Sequence, residues 1–315
     1  MSMLTNNQSA LLSRMKTDLQ NATNSFYKPS DFFWKRIVDD FENRRFKNEG
    51  IGEIQSQSYN ALFAFLSGHK SMLTGHANID FEISLWTFYT LLKSRDKHGL
   101  LDKTEALIAT DGSLYLDTDR VVGRPSHLEK KKLTWDYLFS MDTILRIVDH
   151  YPQVLTDELN ICEVGAGWGR LSYYFTQVNN KLRYHIFDIP HVLLISHEYL
   201  ARSTKHTRVF TYDESSVADG EAGIKFFTSN KLEGLEGKTF DLFINQASFQ
   251  EMTLEQVTGY FERIDTLSKK FYSFQRYECL DMEYSKYPVY KNWEKVYDAD
   301  CCFDPLWFEQ FFVIK

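Results

Sequence analysis

The sequence has no run of about 18 apolar residues, the length a helix needs to cross a bilayer, so no membrane span is expected. Its four cysteines, at positions 162, 279, 301 and 302, include no C-x-x-C spacing. That argues against a zinc site or redox pair and for reduced thiols. The opening residues "MSMLTNNQSALLSRMKTDLQ" hold no sustained apolar stretch of the kind that directs export, so a cytoplasmic location is expected. Positive charge is also short: 36 Lys and Arg stand against 43 Asp and Glu, a net charge of -7. Nucleic-acid binders concentrate a basic face, so nucleic acid is not expected as a partner, and small or neutral ligands are favoured. The one basic cluster, "EKKKL" at 129–133, reads as a solvated helix start. No internal repeat or low-complexity linker interrupts the chain.

What is present is globular. Apolar residues make up 43% of the 315 and charged residues 25%, enough chain for one large domain with an extension or for two domains. Residues 1–130 carry helical periodicity in pieces: "SALLSRMKTDLQNA", "DFFWKRIVDDFENRRF" and "FEISLWTFYTLLKSR" return an apolar residue every three or four positions. Within this region "ALIATDGSLYLDT" has two short alternating runs flanking Asp111-Gly112, which suits a small hairpin. The region is expected to act as a substrate lid or as a surface where a homo-oligomer forms. In 131–315 the rhythm changes. A helix over "TWDYLFSMDTILRIVDHY" leads into short apolar strands separated by helix-length segments: "NICEV", "RYHIFD", "IKFFTS", "FDLFINQ" and "KKFYSF", with "RVFTYDE" ambiguous. The chain then ends in two extended runs, "WEKVYDADCC" and "WFEQFFVIK", with no helix between them. The fold class expected is α/β: a Rossmann-like, seven-stranded sheet whose last strand pair is antiparallel, with an N-terminal helical region.

The stretch "ICEVGAGWGR", 161–170, carries the chemistry. Ile161, Cys162 and Val164 form a buried strand, and Gly165, Gly167 and Gly169 form the turn that leaves it. Such a turn lets backbone approach a ligand, and the following helix points unpaired N–H groups at it. The nicotinamide fingerprint is G-x-G-x-x-G with a diphosphate on the helix N-terminus; here the third glycine comes one residue early. Glu163 would repel a diphosphate but suits a ligand carrying positive charge. S-adenosylmethionine is such a ligand, since its sulfonium and ammonium are cationic and it has no phosphate. The plain alternative is a strand-end glutamate reaching water. Asp188, ending "YHIFDIP" about 20 residues past the turn, stands where a ribose-binding acid belongs. Asn245 and Gln246 end "FDLFINQ" at the same rim.

Together these residues resemble the class I S-adenosylmethionine-dependent methyltransferases, whose first signature is an acid followed by G-x-G-x-G. More narrowly, "EVGAGWGRL", "FDIP" and "FINQASFQEM" are similar to a bacterial group described as sugar O-methyltransferases, over about residues 120–315. The resemblance implies S-adenosylmethionine as cofactor and a hydroxyl of a sugar or glycan as acceptor. It further implies cofactor contacts from Glu163, Gly165, Ala166 and Gly167 to the methionine part, from Asp188 and Ile189 at the ribose, and from Asn245 and Gln246 around the sulfonium. Where a widespread methyltransferase pattern has paired histidines after the fourth strand, this chain has Gln250 and Glu251.

Methyl transfer to oxygen needs an aligned hydroxyl and a base to take its proton. Glu251 is the candidate, placed by "SFQEMTLEQ" just before a helix whose N-cap is Thr253 and whose T-x-x-Q box closes at Gln256. The competing role for Glu251 is to shape its loop through backbone hydrogen bonds. His191 and His197 are histidine alternatives, and Arg124 or His127 could touch substrate from a lid. No adjacent acidic pair follows the fourth strand to hold magnesium, so no metal is expected. The aromatic-rich segment 277–293 either presents a ring to a sugar face or completes a core. A methyltransferase with a non-sugar acceptor (N- or C-methylation) and a non-catalytic binding module on the same fold are the rival readings.

Overall fold

Runs such as Asn160–Val164 and Gly223–Thr228 bury nearly every residue. A strand can do this only where helices cover both faces of its sheet. The computed structural model describes residues 4–29, 34–45, 79–110, 120–122, 131–133, 135–302 and 304–315. In chain order it has helices α1 (Asn6–Gln20), α2 (Trp34–Asp40), α3 (Ile79–Arg95) and α4 (Leu100–Thr110). A short antiparallel pair follows, β1 (Arg120–Val122) with β2 (Lys131–Leu133), and then α5 (Trp135–His150). The main sheet is threaded by β3 (Asn160–Val164), α6 (Arg170–Val178), β4 (Arg183–Asp188), α7 (Pro190–Ser203), β5 (Gly223–Thr228), β6 (Leu242–Gln246), α8 (Leu254–Leu267) and β7 (Lys270–Arg276). A small ribbon, β8 (Glu278–Cys279) with β9 (Met282–Glu283), precedes the last strands, β10 (Trp293–Asp300) and β11 (Trp307–Ile314).

The sheet order is β10-β11-β7-β6-β3-β4-β5. Strands β7, β6, β3, β4 and β5 run parallel, and β11 and β10 are antiparallel to their neighbours. This is a seven-stranded, mixed α/β sheet whose last strand pair, β10 and β11, is antiparallel, with β11 alone running against the rest. The order steps outward from the middle in two directions, β3-β4-β5 one way and β6-β7-β11 the other. The loops leaving β3 and β6 therefore diverge and open a crevice beyond their carboxyl ends. Edge strand β10 exposes Glu294 and Lys295, charges that discourage pairing with another chain.

Alternation sends Ile161, Tyr184, Ile186 and Ile244 to one core, with residues of α5, α6 and α7. Cys162, Val164, Phe187 and Phe243 go to the other, with Val257, Phe261 and Ile264 of α8. The N-terminal helices join the first core through Leu12, Met15, Phe88 and Leu92.

Two local expectations are corrected. "ALIAT", 106–110, is the last part of α4 and not a hairpin arm, because its apolar rhythm continues the helical one begun at the buried Leu100, Leu101 and Thr104; the rest of that hairpin lies outside the described residues. Lys131–Leu133 of "EKKKL" is strand β2, not a helix start, because these residues pair with Arg120–Val122. "RVFTYDE" contributes only a single bridge, Val209 to Ile224. Among the described residues no helix is long and apolar enough to cross a membrane.

Candidate active site

The turn after β3 has the geometry its glycines suggest: Gly165, Gly167 and Gly169 have φ of 73°, 59° and 87°, where a side chain is strained. Their roles differ. A Cβ on Gly165 would lie 2.2 Å from Ser248 Oγ in the loop after β6, so Gly165 lets two loops touch. A Cβ on Gly167 would meet nothing within 4 Å. Gly169 caps α6 in the left-handed conformation.

These loops border a cavity of about 130 Å³ at the crevice, on the order of ten times the space one water needs. Glu163, Gly165, Ala166, Gly167, Asp188, Ile189, Gln246 and Glu251 all line it. Asn245 does not. It is fully buried and braces the wall: its Nδ2 donates to Val164 O at 2.9 Å and Ser248 Oγ at 2.6 Å, and its Oδ1 accepts from Phe249 N and Gln275 Nε2. Neighbouring strand residues face opposite sides, so only Gln246 of the pair meets the cavity. The Gln246 amide donates to Thr143 Oγ1 at 2.8 Å.

Three buried carboxyl groups share this space. Glu163 accepts from the Tyr184 hydroxyl at 2.8 Å. Burial pushes its pKa up to about 7, against the Tyr184 hydrogen bond and the Arg170 charge, with the charge of Asp188 adding to the rise. Asp188 takes two backbone N–H groups, from Ile189 at 2.7 Å on one oxygen and from Gly167 at 3.2 Å on the other. Burial nonetheless lifts it to about 7. Glu251 is lifted to about 8 by burial; a hydrogen bond from the Trp34 indole opposes the rise and the charge of Asp188 adds to it. Three acids at one cavity, each shifted by desolvation toward its neutral form, make a site whose ionisation a cationic ligand would favour.

One wall comes from the N-terminal region. Residues 25–29 form a strap on α8, whose Thr253–Gln256 capping box is present as its sequence suggests. Gln256 Nε2 donates to Phe26 O at 3.0 Å and Lys28 O at 2.7 Å. Phe26 lies over Gly259, where a Cβ would come within 2.8 Å of its ring, and Tyr27 meets Tyr260 edge-on at 5.7 Å. Upstream, Glu233 accepts the N–H groups of Thr23 and Asn24. Tyr27 and Trp34 thus line the cavity though they are far from the glycine turn in sequence. The opposite wall is aromatic: Phe274 of β7 stacks on Trp307 of β11 at 4.9 Å, and Phe139 of α5 packs edge-on to Phe274 at 5.8 Å.

The other sequence candidates lie elsewhere. His191 is outside the cavity lining; its Nε2 pairs with Glu42 Oε1 at 2.7 Å, and burial lowers its pKa. His197 packs on Phe226 and does not line the cavity. Arg124 and His127 lie outside the described residues. From the aromatic-rich segment, Tyr287 and Trp293 are buried in the core against Phe261, completing it and not facing a ligand. Among the described residues one trio of metal-ligating types lies close together, Asp142, Cys301 and Glu309. Arg95 donates to Asp142 at 2.6 Å and Arg146 to Glu309 at 3.0 Å, so guanidinium groups supply the counter-charge there. None of the trio lines the cavity.

No family model and no curated protein matches the chain. Among solved structures it is similar to the mitomycin 7-O-methyltransferase MmcR, at 12% identity over 57% of this chain and 57% of that one, with a TM-score of 0.37. It is also similar to TrmN from Thermus thermophilus, at 11% identity over 58% of this chain and 49% of that one, with a TM-score of 0.40. A third is M. capricolum TrmK in complex with S-adenosyl-homocysteine, at 15% identity over 53% of this chain and 67% of that one, with a TM-score of 0.36. Likeness of this degree says nothing of what the present chain acts on.

Proposed function

We propose that the chain is an S-adenosylmethionine-dependent O-methyltransferase that methylates a hydroxyl of a sugar or sugar-containing metabolite. The observation that carries the reading is the convergence of Glu163, Asp188 and Glu251, all buried, on one cavity at the glycine turn. A diphosphate would meet three acids there.

The residues present fit this donor. Gly167 leaves open space beside the turn, Glu163 offers negative charge to an ammonium or sulfonium, and Asp188 offers carboxylate oxygens to ribose hydroxyls. Arg170, the first residue of α6, lines the cavity at a helix N-terminus, a suitable seat for the methionine carboxylate. When bound, S-adenosylmethionine supplies a methyl group made electrophilic by the positive sulfur.

The chain's own residues supply the rest. Glu251 accepts the acceptor hydroxyl's proton, with a pKa near 8 that matches a base working around neutral pH. The Trp34 indole holds its carboxylate in place. Donor and acceptor seated between the strap and the aromatic wall displace water, which raises the worth of every charge inside. Phe139, Phe274 and Trp307, packed on one another, give the cavity apolar surface for the C–H face of a sugar. The same stack favours, as a second reading, a flat non-sugar acceptor.

The test is two-part: calorimetry with S-adenosylhomocysteine and with a nicotinamide dinucleotide, then labelled-methyl transfer to a panel of glycosides and small aromatic alcohols. Dinucleotide binding without S-adenosylhomocysteine binding would refute the reading; transfer only to aromatic alcohols would select the second.

A further inference from the structure

Strand register sets Gln246 of β6 beside Phe274 of β7, and Phe274 beside Glu309 of β11; side chains paired across neighbouring strands share a face. Helix α5 meets that face with Phe139, Thr143 and Arg146, which touch Phe274, Gln246 and Glu309 in turn. We infer that Gln246 selects the methyl acceptor: its carbonyl oxygen is held toward the cavity to accept from a second hydroxyl, next to the one methylated, and Thr143, Tyr272, Glu309 and Arg146 are its positioning residues. The inference rests on the methyltransferase reading for the reaction that the second hydroxyl serves.

The direction of each hydrogen bond fixes the amide. Arg146 can only donate, and its Nε does so to Glu309 Oε2 at 3.0 Å, which makes that oxygen an acceptor. The Tyr272 hydroxyl donates to the same oxygen at 3.4 Å. Burial raises the Tyr272 pKa, and a hydrogen bond from Thr143 opposes the rise, as a donor to the phenolic oxygen does. With its one proton committed there, Thr143 Oγ1 accepts, and Gln246 Nε2 donates to it at 2.8 Å. Thr143, Tyr272 and Glu309 are each at most 2% exposed, so water does not compete along this line.

The other end of the amide is therefore Oε1. Gln246 is 7% exposed and lines the cavity, and among the described residues none donates to that oxygen. Its neighbour Asn245, by contrast, has both amide ends engaged by the chain. A buried carbonyl left without a donor costs a ligand roughly tenfold to a hundredfold in affinity. Glu251 takes the proton of the methylated hydroxyl, while Gln246, which takes no proton, reads the hydroxyl next to it. Such a site rejects an acceptor that offers only one donor.

The experiment uses the whole chain loaded with S-adenosylhomocysteine, whose binding is measured first and reports on the cofactor reading alone. Methyl hexosides are then titrated against derivatives with fluorine for hydroxyl at each position in turn, and catechol against fluorophenol, since fluorine keeps the size and cannot donate. At one position the exchange is expected to cost about tenfold to a hundredfold in affinity in the wild type, and about threefold or less in Gln246→Leu and Thr143→Val. Thr143→Ser should behave as the wild type, and S-adenosylhomocysteine affinity should stay within a few-fold throughout. Fluorine selectivity unchanged in Gln246→Leu and Thr143→Val, or no binding of any of these probes to loaded protein, would overturn the inference. Weakened S-adenosylhomocysteine binding in Gln246→Leu with that selectivity kept would place the oxygen on the cofactor and do the same. The amide orientation is read without any ligand, from exchange of the Gln246 side-chain NH2 protons by NMR: slow exchange in the wild type, speeded about tenfold in Thr143→Val, is expected. Exchange as fast as that of a surface glutamine would overturn the inference whether or not the cofactor reading stands.

Discussion

Replacing Glu251 with Gln should stabilise the free protein and disable it. Glu251 is buried, and its carboxyl is raised from 4.5 to about 8 chiefly by desolvation. For an acid whose folded pKa lies above its unfolded one, the native state holds the extra proton between the two values. Stability from this group is therefore full below about pH 4.5 and falls as pH rises toward 8. The shift of some 3.5 units sets a ceiling near 5 kcal/mol. Water entering the cavity that Glu251 lines screens this to about 2 kcal/mol. Gln keeps the size and cannot ionise, so the variant loses that slope. Urea unfolding of the free proteins should show almost no difference near pH 3.5 and a gain of about 2 kcal/mol for Glu251→Gln at pH 8.5. Turnover should fall at least about a hundredfold with the affinity for S-adenosylhomocysteine kept within a few-fold. Equal unfolding curves at pH 8.5 would show that the carboxyl is not desolvated, and near-normal turnover would remove it as the base.

Three further substitutions probe the walls. Gly165→Ala places a Cβ 2.2 Å from Ser248 Oγ at a φ of 73°; it should cost about 2 kcal/mol in urea unfolding and abolish cofactor binding, and a stable, binding-competent variant would contradict the loop contact. Gly259→Ala pushes on the Phe26 ring and should loosen the strap, weakening cofactor affinity about tenfold and speeding chymotryptic cleavage after Phe26. Trp34→Phe removes the donor that lowers the Glu251 pKa, so the acid limb of the pH–rate profile should move to higher pH by up to about one unit; an unmoved limb would mean that the indole does not act on the base.

The five parallel strands of the main sheet were legible because each is a short run, rich in β-branched or aromatic residues, buried on both faces. The antiparallel last pair was legible because no helix-length segment separates "WEKVYDADCC" from "WFEQFFVIK". Glu163, the glycines and Asp188 were legible because turn chemistry and charge act locally. The failures are non-local or too short. Five residues of "ALIAT" cannot separate a period of two from one of 3.6, and the pairing that makes Lys131–Leu133 a strand comes from 120–122. Asn245 and Gln246 read alike as polar strand-end residues, yet strand alternation sends one behind the wall and the other to the cavity. Tyr27, Trp34, Asp304 and Trp307 reach the site only through tertiary packing, and nothing in their own segments marks them. Arg170 could have been found, since it directly follows Gly169 at the helix start.

The central claim is that the acids at the glycine turn favour a positively charged sulfur donor. Glu163 and Asp188 each titrate at about 7, so roughly a tenth of each is ionised at pH 6 and nine tenths at pH 8. Calorimetric titration of S-adenosylmethionine at those two pH values, each in two buffers of different ionisation enthalpy, tests the claim most directly. Affinity about tenfold tighter at pH 8 for each acid that must ionise, with protons released on binding, is the outcome expected; equal affinity at both pH values with no proton release, or a dinucleotide binding in its place, would contradict it.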